Sequence, residues 1–333
     1  MIKDNYTSTG AKFWKHQNQM FNYKNKSGNS IISTHISPTG LCNLNCSYCS
    51  VKKRKTQNVI ELNVIKDYID KLITRGLKAV IITGGGEPTL YAQFNELVSW
   101  LKYDKKLNVG LITNGTLTDR IEDWKVFSWV RISINKFSGW KEKISIPLGD
   151  IDERTVIGCS YINTGELEKD LNDIKYVADK INATYVRVLP NCLLNQEEIM
   201  IEHQKIEEIF VRNNVQNLFF HQFKIHKNPA VNVCHQSYFR PYLSEVDGGT
   251  VYPCDSVVLN DCVEKFDDKF KLCKSADILD FLDNKILIKF KPCVDCSGCV
   301  FSDNIKMLEE WKNDKINLFN HYQNQQFVHE EFV

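Results

Sequence analysis

The reading of this chain turns on residues 31–50, IISTHISPTGLCNLNCSYCS. Ile31 to Ile36 has the β-branched composition of a strand. The loop behind it carries Cys42, Cys46 and Cys49 in a C-x₃-C-x₂-C array. Downstream, Glu61 to Arg75 sets apolar residues at helical spacing and stops at Gly76. Ala79 to Thr83 (AVIIT) then reads as a buried strand running into Gly84-Gly85-Gly86-Glu87-Pro88.

The alternation continues. Helices are predicted over Ala92 to Tyr103, Asp119 to Phe127, Glu166 to Lys180 and Glu197 to Arg212. Strands are predicted over Asn108 to Thr113, Val130 to Ile134, Val156 to Ile162, Tyr185 to Leu189 and Leu218 to Phe223. Strands alternating with helices imply a parallel sheet with right-handed crossovers, and six such units fit a partial (β/α)₆ TIM-like barrel. After about Lys224 the rhythm gives way to cysteines, glycines and hairpin signals around DGGTVYPCD, 247–255. The organisation read from this is an N-terminal extension over 1–30, a barrel over 31–224 and a cysteine-rich domain with a helical tail over 225–333.

Composition narrows the function. With 42 basic and 41 acidic residues the net charge is +1, which gives no global field for nucleic acid or an anionic membrane. No apolar run is long enough to span a bilayer, and the N-terminus lacks a signal-peptide core, so the expected compartment is the cytoplasm. Twelve cysteines are abundant for a reducing compartment, where clustered thiols are metal ligands or catalytic groups. In a barrel, the loop after the first strand lies on the face where chemistry is assembled. Three thiolates there can hold three irons of a [4Fe–4S] cube and leave the fourth open, as a catalytic site requires.

C-x₃-C-x-aromatic-C after a first barrel strand, followed by Gly85-Gly86-Glu87-Pro88 after the second, resembles the radical S-adenosylmethionine (radical SAM) superfamily over residues 30–225. The resemblance implies a [4Fe–4S] cluster on Cys42, Cys46 and Cys49, with SAM on its open iron. Backbone near Gly85 and Gly86, with Glu87 beside it, would hold the SAM ammonium, and Tyr48 would shield the cluster or pack on adenine. Ser133 and Asn135 at the end of the fourth strand are placed for ribose or the methionine tail. Asn114, in a TNG turn, and Arg154, facing the SAM carboxylate, are further candidates.

Cys234, Cys254 and the run Cys293-x₂-Cys296-x₂-Cys299 resemble the Twitch form of the SPASM/Twitch extension of such enzymes. One auxiliary [4Fe–4S] cluster is expected, on Cys234, Cys254, Cys293 and Cys296, with Cys299 as the alternative ligand and structural zinc as the alternative metal. Cys159, Cys262 and Cys273 read as buried thiols, and His35 and His221 as satisfied histidines. Cys192, after the sixth strand, is a candidate hydrogen-atom donor near substrate.

The resemblance implies an enzyme that takes an electron from a flavodoxin- or ferredoxin-type partner. It would cleave SAM to a 5′-deoxyadenosyl radical and abstract hydrogen from a substrate. The first substrate expectation is oxidation, epimerisation or crosslinking of a peptide or protein side chain. With only about 30 residues ahead of the first strand, no leader-peptide-binding domain is expected. Radical oxidation or rearrangement of an amino sugar, nucleoside or nucleotide sugar is the alternative. A non-catalytic iron–sulfur or zinc protein is the contrasting class.

Overall fold

The structure, a computed structural model, describes residues 5–134, 136–137, 139–215, 218–222, 227–259 and 268–333. Seven parallel strands run in sequence order: β1 (Ser33–Ile36), β2 (Ala79–Ile82), β3 (Asn108–Thr113), β4 (Trp129–Ile134), β5 (Val156–Asn163), β6 (Tyr185–Pro190) and β7 (Phe219–His221). The helix Leu62–Ile73 buries Ile65, Tyr68, Ile69 and Leu72, one stripe at helical spacing, against the sheet. Gly76 then adopts φ +102°, a conformation that turns the chain into β2.

Two sequence expectations change. Asp119 to Phe127 is two 3₁₀ turns, Thr118–Arg120 and Trp124–Val126, rather than one helix. The Asp123 carboxylate accepts from Lys125 N at 2.9 Å and starts the second turn afresh. Trp124, Val126 and Phe127 are all buried, so no single face is left for solvent. The helix begun at Phe94 ends at Ser99 and continues to Asp104 as a wider π-type turn.

The larger difference is at the other edge of β1. The residues after 233 do not form a separate sheet. β8 (Tyr242–Ser244) pairs parallel to β1, His35 opposite Tyr242 and Ile36 opposite Leu243. β9 (Thr250–Tyr252) returns antiparallel to β8, and β10 (Cys273–Lys274) follows it. One ten-stranded sheet results, in the order β10-β9-β8-β1-β2-β3-β4-β5-β6-β7. β1 is therefore interior to the sheet, and all four of its residues are buried.

Residues 5–12 and 327–333 meet beneath the barrel. Tyr6 stacks on Tyr185 at 4.4 Å between ring centroids, and its carbonyl accepts from Arg131 Nη2 at 3.0 Å. Lys12 Nζ donates to the carbonyls of Val328 and His329 at 3.3 and 3.1 Å. Phe332 joins Ala79, Ile81 and Trp129 in a small apolar cluster. Among the described residues no helix is long and apolar enough to cross a membrane.

Candidate functional site

The cysteine loop leaves β1 at Ser37 and is held in place by the glycine turn after β2. Gly86 N donates to Thr39 O at 2.9 Å, and Glu87 N to Leu41 O at 2.7 Å. The two backbones lie in direct contact: a Cβ on Gly86 would stand 1.9 Å from Leu41 O. Gly85 N donates to Ser37 Oγ, which ties the turn to the end of β1. These glycines thus serve first the approach of chain to chain.

Glu87 does not face outward. It is 2 % exposed, and its carboxylate accepts from Thr89 N and Oγ1, Thr113 Oγ1 (2.6 Å) and Asn114 N (2.7 Å). Burial pushes its pKa up, against the pull of those four donors. So bound, the carboxylate braces β2 against β3. Asn114 extends the brace: its Nδ2 donates to Asn43 Oδ1 at 2.9 Å, and Asn43 Nδ2 donates to Thr116 Oγ1 at 2.8 Å. Asn43 lies directly after Cys42, so the TNG turn fixes the loop that carries the thiols.

Cys42, Cys46 and Cys49 are partly exposed on this loop. Burial raises the Cys46 thiol, and Cys49 and Cys42 add to that, so the three groups share one field. Arg54 closes the loop, with Nε donating to Gly40 O at 2.9 Å and Nη1 to Cys49 Sγ at 3.5 Å. A cleft of about 560 Å³ opens beside Cys46 and Tyr48, lined also by Ile134, Phe137, Tyr161 and Ile162. Tyr48 and Phe137 give it the flat apolar walls that an adenine takes.

The remaining sequence candidates divide. Ser133 points to the same side of β4 as Arg131 and lies opposite Ser160 of β5. Asn135 lies outside the described residues, as does Cys262. Arg154 is misplaced for a cofactor: it precedes β5, at the end of the barrel remote from the cysteine loop. Its side chain is 85 % exposed and paired with Asp152 at 2.8 Å. Cys192 follows β6 half-buried and lines neither the Cys46 cleft nor the barrel interior. Cys159 is fully buried on β5.

Comparison with known proteins follows this geometry. Residues 36–146, β1 through the segment after β4, match the Radical SAM superfamily model. The chain carries a radical SAM domain. It is 28% identical over 221 residues to a probable GTP 3′,8-cyclase of Methanococcus vannielii, covering 58% of this chain and 73% of that one. It is 27% identical over 200 residues to an S-adenosylmethionine-dependent nucleotide dehydratase of Selenomonas ruminantium, covering 57% and 67%. In fold it resembles Streptococcus suis SuiB bound to S-adenosylmethionine, with a TM-score of 0.53, 13% identity and coverage of 79% and 69%. It also resembles anSMEcpe with bound AdoMet, with a TM-score of 0.50, 14% identity and coverage of 88% and 100%. The fold is that of the radical SAM partial barrel, whose family uses a [4Fe–4S] cluster and SAM. The donor set here fits both: three thiols share one loop beside a cleft of mixed aromatic and polar lining.

Beyond the radical SAM domain lies a second group of thiols, with Cys234, Cys296 and Cys299 buried and Cys254 partly so. Cys234 precedes β8 and Cys254 follows β9, so the hairpin brings them to one end, as the glycine turn suggested. Cys234, Cys254, Cys296 and Cys299 line one small cavity with Pro253, Phe290 and Ile305. Burial, with Asp255, Cys234, Cys299 and Cys296 adding to it, raises Cys254 well above the ordinary thiol range. Burial likewise pushes Cys234 to about 12 and Cys299 to about 11. Four such thiols lose their protons readily only to a cationic centre. Cys293, expected in the quartet, is elsewhere: it sits in the short helix Pro292–Asp295 and its Sγ donates to Asn232 Oδ1 at 3.2 Å. That helical turn points Cys293 away, and Cys299 takes its place at the cavity. Among the described residues no three His, Cys, Asp or Glu side chains converge at single-ion distances.

The barrel interior holds a cavity of about 490 Å³. His35, Ile112, Arg131, Tyr185, Arg187, Gln222, Arg240 and Asp255 form its wall, and residues 5–10 with Phe332 its floor. Val300 and Phe301 line both this cavity and that of the four thiols. Arg240 donates from Nε and Nη2 to His35 Nε2 at 3.1 and 2.6 Å. His35 therefore carries its proton on Nδ1, 3.7 Å from Asp255 Oδ2. These interior arginines were missed in the sequence reading. Their signal was a single charge at an inward position of an apolar strand, Arg131 in WVRISI and Arg187 in YVRVLP.

Proposed function

We propose that this chain is a radical SAM oxidoreductase that acts on a small molecule enclosed in the barrel. The observation that carries the reading is the cysteine loop hydrogen-bonded along the glycine turn, beside one cleft and above one interior cavity. Cys42, Cys46 and Cys49 would hold a [4Fe–4S] cluster, and the Tyr48 cleft would take SAM. When bound, the cluster supplies the electron that cleaves SAM to methionine and a 5′-deoxyadenosyl radical, which takes a hydrogen atom from substrate.

The chain's own residues orient and exclude. Glu87 and Asn114 fix the loop against β3, and Arg54 steadies it from the other side. Tyr6 and Phe332 line the barrel cavity at its base. An interior cavity of that size supports a small molecule over the peptide side chain that ranked first from sequence. The names of the GTP cyclase and nucleotide dehydratase relatives support the same choice. Cys234, Cys254, Cys296 and Cys299 would hold an auxiliary [4Fe–4S] cluster. Val300 and Phe301 line both its cavity and the barrel cavity, which supports the oxidoreductase reading. A flavodoxin- or ferredoxin-type donor would supply the electron.

The test is anaerobic reconstitution with iron and sulfide, followed by dithionite and SAM. Wild type is expected to release 5′-deoxyadenosine, and Cys46→Ala to release none. A fully loaded wild type that forms no 5′-deoxyadenosine overturns the enzyme reading.

A further inference from the structure

The interior cavity holds more cationic hydrogen-bonding capacity than the protein uses. Arg131 shows what a satisfied guanidinium looks like here. Its Nε donates to Tyr185 Oη at 3.0 Å and its Nη2 to Tyr6 O at 3.0 Å, and the group lies over the Trp129 ring at 5.1 Å. Arg187, on the next inward level of the barrel, has an enclosed Nε with no partner. Arg240 spends Nε and Nη2 on His35, while its buried Nη1 has no partner, although the residue is only 5 % exposed. Gln222, 6 % exposed, presents an unpartnered Oε1 in the same lining.

A buried charged donor without an acceptor is destabilising by several times the net worth of a typical hydrogen bond. Two in one cavity, beside an unused amide oxygen, are not core packing. The charge balance has the same sense. Lys12, Arg131, Arg187 and Arg240 line the cavity against the carboxylates of Asp255 and Asp303. Burial, with Arg131 adding to it, draws Arg187 down to about 9, while Tyr185 and Asp255 favour its charge.

We propose that the cavity binds a phosphoryl group of the substrate, gripped by Arg187 and Arg240, with Gln222 accepting from a neighbouring substrate hydroxyl or amine. The proposal takes its substrate from the radical SAM reading above, but the binding itself stands on the cavity. A phosphate monoester at neutral pH carries close to two charges and three acceptor oxygens. That matches the excess of cationic over acidic groups and the fork geometry of two guanidiniums. A carboxylate, with one charge and two oxygens, leaves one donor group unmet.

The experiment uses reconstituted holoenzyme and two probes, inorganic pyrophosphate and acetate, followed by calorimetry. One equivalent of pyrophosphate is expected to bind saturably, and acetate at least about tenfold more weakly. Arg187→Gln and Arg240→Gln are each expected to weaken pyrophosphate at least about tenfold, the scale of a lost charge-assisted bond. Arg187→Lys, which keeps the charge if the glutamine variant does not fold, is expected to bind between the two. Lys175→Gln, on the exposed surface, is expected to bind as wild type. Equal binding by Arg187→Gln and wild type, an equal loss in Lys175→Gln, or acetate binding as tightly as pyrophosphate overturns the proposal. Wild-type SAM cleavage is measured on the same preparation. Its absence overturns the enzyme reading alone, and its presence without pyrophosphate binding overturns the phosphoryl site alone.

Discussion

At the scale of single residues, the C-terminal cysteines carry the sharpest consequence. Cys293, Cys296 and Cys299 are evenly spaced, so nothing in the spacing ranks one pair over another. The ranking comes from the one-turn helix Pro292–Asp295, which commits Cys293 to Asn232 and leaves Cys296 and Cys299 facing Cys234 and Cys254. Under the proposed ligand set, reconstituted wild type holds about eight irons and Cys299→Ala about four, while Cys293→Ala keeps about eight. Iron analysis with Mössbauer spectroscopy reads all three. The reverse pattern in the two variants restores Cys293 as ligand, and zinc in place of the second four irons makes the quartet structural. Glu87 teaches the complementary lesson. Its place in a GGEP sequence was legible, but its direction was not. Direction depends on Thr113 and Asn114 of the next strand, and no local pattern encodes that contact.

Among the elements, the clasp between the N-terminal arm and the C-terminal tail is set to respond to acid. His16 is 2 % exposed. Its Nε2 donates to the Glu330 carbonyl at 2.9 Å, while Nδ1 faces Lys78 Nζ at 3.5 Å. Burial lowers its pKa to about 4, and Lys78, Lys12 and Lys15 oppose a further positive charge. Burial and Lys12 draw His329 to about 4 as well. Both histidines are neutral in the fold but take up protons near 6.5 once released. The clasp is therefore at full strength above pH 6.5 and weakens as pH falls toward 4, by up to about 3 kcal/mol for His16 alone. Hydrogen exchange of residues 5–24 and 327–333, corrected for intrinsic rates, should quicken between pH 7 and pH 5 while β2 to β5 stay protected. Unchanged protection of the arm at pH 5 would show that it is held by its aromatic contacts alone. The barrel strands themselves were readable because each is a short apolar run closed by a breaker, as in NVGLIT before Asn114-Gly115. The segment 119–127 was not, since an internal Asp123 cap and burial on several sides leave no helical stripe.

For the whole molecule, the strands that follow residue 233 extend the sheet of the barrel rather than forming one of their own. β8 supplies the partner for one edge of β1, through Pro241 O to His35 N at 3.2 Å and Leu243 O to Ser37 N at 2.9 Å. Pairing between segments so far apart leaves no periodic trace in the sequence. A fragment ending at Gln222 is expected to be insoluble, because it exposes that edge of β1 and the apolar surface that Phe239 and Leu243 cover. Soluble yield and circular dichroism decide this, and a folded 1–222 fragment with cooperative melting would argue for a self-sufficient barrel.

The same pairing has a meaning for synthesis on the ribosome. Thr34 Oγ1 and Pro241 O, hydrogen-bonded at 2.8 Å, lie 207 residues apart. At roughly 5–20 residues per second, β1 emerges about ten to forty seconds before the strand that completes it. During that interval the strand leading into the first three thiols has one bare edge, and the loop has no finished scaffold behind it. Growth temperature, translation speed and holdase capacity should therefore affect the yield of intact protein.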